Sequence, residues 1–247
     1  HARQRIAAEH ANLPARSFIS ILRTKQSIAN IAADWRELLA STENTAAVFQ
    51  SFSWISEWVA QCGTVEGASK PLIIAGYQSG RLVFVWPLMK TENRTLTVIE
   101  WLSSPSGQYG DVLLAKGLCP QAWQDAALKL LHRSESADLL RLRHVRVGSA
   151  FHAFAERHML NAESEESAPF MDLSAFNSEQ EYEARYTSSQ RKRRKKIRKE
   201  LEAFGEGAFA RLSPGPETDR AIAMAIAEKI KWLEQRGRIN RILTCPN

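Results

Sequence analysis

Cysteine is scarce in this 247-residue chain: Cys62, Cys119 and Cys245 are far apart, odd in number and form no CxxC pair. That excludes a disulfide framework or a cysteine zinc site and leaves buried or idle thiols in a reducing compartment. Long apolar runs are also lacking. None approaches the roughly 20 residues that span a bilayer, and no basic start leads into an apolar signal core, so a cytoplasmic location is expected. GxSxG, HExxH and P-loop patterns do not occur, which removes the usual marks of serine hydrolases, zinc peptidases and nucleotide hydrolases. The six histidines, His1, His10, His132, His144, His152 and His158, offer no ligand pair with a supporting carboxylate. His152 and His158 are six apart and fall on different helix faces, so surface or packing roles are expected and no metal.

What is present is a well-stocked interior. Hydrophobic residues are 44% of a 27.8 kDa chain, enough for one large domain or two modest ones, and global disorder is excluded. The formal charge of +6 is misleading. Residues 191–199 read RKRRKKIRK, eight positive charges in nine positions, and removing those eight from +6 leaves −2 for the rest. A diffusely basic protein is therefore excluded; the charge is one segment.

Along the chain, 1–16 is polar and Ala-rich and reads as a tail. Ser17–Arg23 is β-prone. Ile28, Ile31, Trp35 and Leu38 predict an amphipathic helix over 26–41, and Trp54, Ile55, Trp58 and Val59 predict another over 49–61. The period then switches. Leu72–Tyr77, Arg81–Met89 and Arg94–Leu102 read as strands, with Gln78-Ser79-Gly80 as a hairpin turn. The loop SSPSGQYG leads into a strand over Asp111–Ala115. Pro120 opens a helix over 120–133. Leu139–Val145 alternates as a half-exposed strand does. A short helix at 149–159 and an extended stretch at 168–173 follow.

Beyond 178 the texture changes. Glu179–Tyr186 is helical in pattern. Ser188 and Ser189 can cap a helix running through the basic segment to Phe204. A strand at Ala208–Leu212 and a helix over 216–236 complete the reading, with no internal repeat. The mixture predicts an α/β (α+β) fold: a mixed, mostly antiparallel sheet flanked by helices.

Three features carry candidate chemistry. Residues 202–207, Glu-Ala-Phe-Gly-Glu-Gly, have the spacing of a phosphate loop, but the helix precedes them and the first residue is acidic. Glycine ending a helix accounts for them better. In the loop 103–111, Tyr109 and Asp111 are two residues apart, so on a strand both point the same way and can hold a polar substrate; ordinary turn chemistry with a packed tyrosine is the competing reading. Of seven tryptophans, most at core-like positions, Trp86 and Trp101 can line a cleft. In the basic segment, Arg191, Arg194, Lys195 and Arg198 are candidates for an anionic ligand. Its like charges repel and need nearby acids or an anionic partner. No aromatic interleaves them, so no sequence-specific reading of nucleic acid is expected.

The order of motifs adds a resemblance. Trp35-Arg36-Glu37-Leu38-Leu39 is followed by Phe49-Gln50-Ser51 and Trp54-Ile55-x-x-Trp58. Trp86-Pro87-Leu88 ends a hairpin, Tyr109-Gly110-Asp111 precedes a strand, Leu201-Glu202-x-x-Gly205 ends the basic helix, and Lys231-Trp232-Leu233-Glu234-Gln235-Arg236-Gly237 comes last. From about residue 17 onward this series resembles the bacterial GNAT-superfamily acetyltransferases of cellulose and exopolysaccharide biosynthesis (the CelD/BcsL type). More distantly it is similar to the Fem-type peptidyl transferases, which carry two GNAT-like halves.

The resemblance implies a tandem GNAT-like layout: a tail at 1–16, a first domain at 17–175, and at 176–247 the basic helix with the opening strand and helix of a second copy. It implies an acetyl-CoA-dependent N- or O-acetyltransferase acting on a sugar, polysaccharide or cell-envelope precursor. In such families the coenzyme loop lies further on in the second half, and no position here matches it. The chain starts at His1 and stops at Asn247 soon after that pattern begins, so both ends are expected to be cuts and this fragment to be inactive alone. The catalytic base is not assigned. Two alternatives stand beside this one: a polyanion- or nucleic-acid-binding module using the 191–199 helix, and a Fem-like aminoacyl transferase using charged transfer RNA.

Overall fold

A computed structural model describes residues 6–7, 13–42, 47–61, 69–92, 95–104, 107–160, 166–205, 207 and 210–238. The chain divides into two compact units, His1–Ser164 and Glu165–Asn247.

The first unit is built on one seven-stranded sheet. Its strands are β1 (Ile6–Ala7), β2 (Ser17–Leu22), β3 (Ser69–Gln78), β4 (Arg81–Glu92), β5 (Thr97–Trp101), β6 (Leu113–Leu114) and β7 (Leu139–Arg141). The order is β1-β2-β3-β4-β5-β7, with β6 also on β4. Every pairing is antiparallel except β5 with β7, which is parallel. The expected mixed, mostly antiparallel architecture is therefore present. The stretch 1–16, expected to be a tail, supplies β1.

Helices cover both faces, which explains the near-continuous apolar runs of β3 and β4: a strand buried on two sides has no polar face to show. Leu72, Ile74, Phe84, Trp86 and Leu88 point to one layer, with Trp123, Ala127, Leu130 and Leu131 of α4 (Pro120–Ser134) and Phe154 of α5 (His152–His158). Ile73, Ala75, Val85 and Met89 point to the other. There they meet Ile28 of α1 (Lys25–Ala29), Trp35 and Leu38 of α2 (Ala32–Ser41) and Ile55 and Val59 of α3 (Phe52–Gln61). Gly76 sits at a bulge in β3, and a Cβ there would lie 2.7 Å from the Trp123 ring. Only a hydrogen side chain lets the indole lie on the strand.

Pro87 is tolerated inside β4 for a local reason. The strand pairs with β6 through Phe84 and Val85 and with β5 from Leu88 onward. Pro87 falls at the changeover, where its missing N–H is not needed, while its carbonyl still accepts from Leu102 (3.1 Å).

Several elements depart from the sequence reading. The helix expected over 26–41 is two, because Asn30 caps α1 before α2 begins. The helix expected from 49 starts with a 3-10 turn at Ala47–Gln50, and α3 begins at Phe52. The strand over Leu139–Val145 ends at Arg141, since His144 turns to a φ of 56°; only an isolated parallel bridge, Gly110 to Val145, continues the pairing.

The regular elements of the second unit among the described residues are a 3-10 turn at Leu173–Ala175 and the helices α6 (Glu179–Ala184), α7 (Ser188–Glu202) and α8 (Pro216–Glu234). Thr187, rather than Ser188 or Ser189, caps α7. It forms a capping box in which the Gln190 N–H donates to Thr187 Oγ1 and the Thr187 N–H donates to Gln190 Oε1. The strand expected at 208–212 is not formed at 210–212, and 208–209 lie outside the described residues. β propensity alone does not make a strand.

Candidate functional site

The loop after β5 builds a place in the first unit where polar and aromatic groups converge. Trp101 ends β5, and its Nε1 donates to the Arg143 carbonyl just after β7 (2.9 Å). The chain then turns back: the Ser104 N–H donates to the Trp101 carbonyl (3.0 Å) and the Gly107 N–H to the Ser103 carbonyl (2.7 Å). Gly110 passes directly against the Trp101 indole, where a Cβ would come within 2.0 Å of Nε1. Its N–H donates to the His144 carbonyl (3.2 Å). The left-handed backbone of His144, uncommon outside glycine, aims that carbonyl across the parallel gap.

These turns enclose a small cavity of about 40 Å³, lined among others by Phe49, Gln50, Trp101, Ser103, Tyr109 and His144. Tyr109 is half-buried, edge-on to Phe49 at 6.1 Å, with the Arg146 guanidinium 5.6 Å from its ring centre. Gln50 is 2% exposed. Its backbone carbonyl accepts from Trp35 Nε1 (2.9 Å), and its Nε2 donates to the Tyr109 carbonyl (2.7 Å). Its Oε1 is buried with no hydrogen-bond partner among the described residues.

Of the four substrate candidates, Tyr109 and Trp101 meet at this cavity; Asp111 and Trp86 do not line it. Asp111 is 2% exposed, and its Oδ1 accepts from the N–H groups of Val112 (2.9 Å) and Phe151 (3.0 Å). Burial raises its pKa above the ordinary 3.8, while those backbone bonds and the nearby Arg146 pull the other way. Its carboxylate fixes the start of α5. Two residues apart on a regular strand would put Tyr109 and Asp111 on one side. The chain here is not a regular strand until Leu113. Trp86 is fully buried against Phe151 (5.1 Å) and Phe154 (5.9 Å).

Gln50 was legible only as part of a motif. Nothing in a lone glutamine beside Phe49 says that its amide will be buried under a loop 59 residues away. A second, open groove of about 490 Å³ lies at the β3–β4 hairpin end, bordered by Asp34, Glu37, Arg81 and Lys116, with Arg81 paired to Glu37.

The basic candidates lie in the second unit. Arg194 pairs with Glu183 (2.6 Å), which holds its pKa above the usual value, and its guanidinium stands 4.4 Å over the Tyr186 ring. Arg191 Nη1 donates to the Tyr186 carbonyl (2.6 Å). Lys195 and Arg198 are exposed, with no partner among the described residues. Lys196 reaches Glu200 at 3.7 Å. The acidic counterparts that the charge run requires are thus partly supplied by α6 and by α7 itself. Gly205 lies just past the Ala203 C-cap and Phe204, its N–H donating to the Glu202 carbonyl (3.2 Å), as expected of a glycine near a helix end.

No family model matches the sequence, and no curated protein matches it. Among solved structures, the chain is similar to the ribosomal-protein-alanine N-acetyltransferase from Brucella melitensis biovar Abortus 2308. Identity is 13%, with 63% of this chain and 99% of that one covered, at a TM-score of 0.37. It is also similar to a proposed acetyl transferase from Pyrococcus furiosus, with 15% identity, 62% and 99% coverage, and a TM-score of 0.34.

Proposed function

We propose that the chain belongs to an acyl-CoA-dependent acetyltransferase acting on a sugar, polysaccharide or cell-envelope precursor. The ordered motif series from Trp35 to Gly237 supports this reading, as does the mixed sheet with helices on both faces. The observation that carries it is the cavity beneath Tyr109, where the rings of Phe49, Trp101 and Tyr109 meet the polar residues Gln50 and Ser103 in the loop after β5. Such a pairing of apolar walls with a few placed polar atoms suits a small polar substrate group.

The coenzyme itself does not fit the cavity beneath Tyr109. A cavity of about 40 Å³ is far below the volume of a nucleotide-bearing thioester. Pro120 at the start of α4 removes one of the N–H groups that would cradle a pyrophosphate there. No residue is therefore assigned to hold it. The reaction class is tested by supplying radiolabelled acetyl-coenzyme A with oligosaccharide acceptors and following both label transfer and free thiol. Label on the acceptor with matching thiol release is expected from the intact protein; neither product above the no-protein control would overturn the reading.

A second reading rests on α7, whose eight basic residues are all exposed. Here the second unit holds a polyanion through Lys195 and Arg198. The double reversal Lys195→Glu with Arg198→Glu is expected to lower retention on an anionic column and to flatten its salt dependence. Unchanged elution would remove this reading.

A further inference from the structure

The basic helix α7 carries a second feature beside its charge. Ile197, Leu201 and Phe204 follow one another at i, i+4 and i+7, so they fall on one stripe. The helix ends at Glu202, but the Phe204 N–H donates to the Leu201 carbonyl (3.0 Å), and this last turn carries the stripe on. The three side chains are 45%, 65% and 92% exposed. Apolar groups in a row are thus left in water, where burial would be favourable. At 3.6 residues per turn, Arg193 borders the stripe on one side and Arg194 and Arg198 on the other. The charges are unmet as well. Arg194 is taken by Glu183 (2.6 Å), Lys196 by Glu200 (3.7 Å) and Arg191 by the Tyr186 carbonyl (2.6 Å). Lys192, Arg193, Lys195, Arg198 and Lys199 have no partner among the described residues.

We propose that α7 docks lengthwise on an anionic bilayer surface, its apolar stripe set among the headgroups and its free cations on the lipid phosphates. This names the partner in the polyanion reading and rests on that reading. The occupant follows from what has to be satisfied together. A nucleic acid would meet the cations through its phosphates and leave Ile197, Leu201 and Phe204 in water. A bilayer meets both needs at once: the stripe enters the boundary between headgroups and acyl chains, and Lys and Arg stay with the anionic lipids. The long stems of Lys and Arg allow this, since their charged heads reach upward while the helix lies lower. No described helix is long and apolar enough to cross a membrane, so the contact is with the surface alone. Helix α8 also exposes Ile222 and Ile226, but Glu217 and Asp219 stand in its first turn, where an anionic surface repels them. Charge complementarity therefore singles out α7.

The test is co-sedimentation of the full chain with vesicles of phosphatidylcholine alone and of an equimolar mixture with phosphatidylglycerol. The mixed vesicles are expected to bind the unmodified protein at least about tenfold more tightly. The double variant Leu201→Gln with Phe204→Gln keeps every charge and alters only exposed side chains. It should lose about tenfold or more of that vesicle affinity, while its elution from an anionic column stays as it was. Equal binding to the two vesicle types, no binding to either, or vesicle affinity unchanged in the double variant would overturn the proposal. So would a single-stranded oligonucleotide that displaces the protein from mixed vesicles while binding both forms of the chain equally. The comparison of vesicles on the unmodified protein stands even where the variant folds poorly. The outcomes also separate this site from the reading beneath it. Column retention that depends on Lys195 and Arg198, without vesicle binding, keeps the polyanion and sinks the bilayer. Neither column retention nor vesicle binding sinks both.

Discussion

Trp86 and Trp232 are the same residue in opposite surroundings. Trp86 lies in β4 with no solvent exposure, pressed between the Phe151 and Phe154 rings and helix-covered sheet. Trp232 lies in α8, 38% exposed, with Lys229 Nζ at 4.0 Å and the Arg236 guanidinium at 4.3 Å from its ring. The two units repeat this contrast throughout. In 13–160 the apolar residues are gathered into two layers about a sheet. In 166–238 Leu233 is the one buried large apolar residue among those described, while Leu201, Phe204, Ile222 and Met224 are exposed. The first unit holds its shape by burial. The second holds its helices by caps, ion pairs and cation–ring contacts, each worth far less.

The largest expected effect separates the two tryptophans. Trp86→Ala should cost about 3–5 kcal/mol in denaturant unfolding, and Trp232→Ala no more than about 1 kcal/mol. Similar losses at both would break the comparison. Next is Gly110→Ala, whose methyl would run into the Trp101 indole. A loss of about 1–3 kcal/mol is expected, with a shifted Trp101 emission, because the loop must lift off the ring.

A smaller effect concerns Asp111. Burial raises its folded pKa above 3.8, so the folded protein binds the proton more tightly than the unfolded chain does. Its contribution to stability is then full below the ordinary carboxylate range and falls away as pH rises through the raised value. Asp111→Asn keeps an oxygen for the Val112 and Phe151 N–H groups without that charge. Its stability relative to the unmodified protein should therefore climb with pH across this window, read from melting curves between about pH 3 and pH 7. A constant difference would show that burial is not what governs this carboxyl. The smallest effect belongs to the second unit. Raising salt from about 0.01 M to 1 M shortens the screening length roughly tenfold. Circular dichroism of residues 166–238 prepared alone should show a modest gain in helix, because Lys195 and Lys199, or Arg194 and Arg198, repel at i, i+4 spacing. Helix content that falls with salt would mean that the Arg194–Glu183 pair outweighs the repulsion.

The periodicities told most of the fold. Strands β2 to β5 and helices α3, α4, α7 and α8 lie close to where apolar spacing places them, because period 2 and period 3.6 are local properties. Errors fell where a distant partner decides. The strand expected at 208–212 has β-prone residues, yet 210–212 pair with no strand among the described residues. The strand from Leu139 stops early because His144 leaves extended conformation to offer its carbonyl to Gly110. At the candidate site, Tyr109 and Trp101 were visible as polar-tipped aromatics near a glycine-bearing loop. Asp111 was visible too, but its two backbone donors, one of them 40 residues away, were not.

By itself, then, the sequence determined the class of fold, the covered sheet and the confinement of excess charge to one helix. Each follows from which residue types recur at which spacing. The tertiary structure alone decided that Asp111 anchors α5, that Trp86 is core, and that Gln50 reaches across to the Tyr109 carbonyl. Those outcomes depend on hydrogen bonds and burial between segments 40 and 59 residues apart. No local pattern encodes such distances; only closing the sheet and folding the loop after β5 onto it brings the groups together.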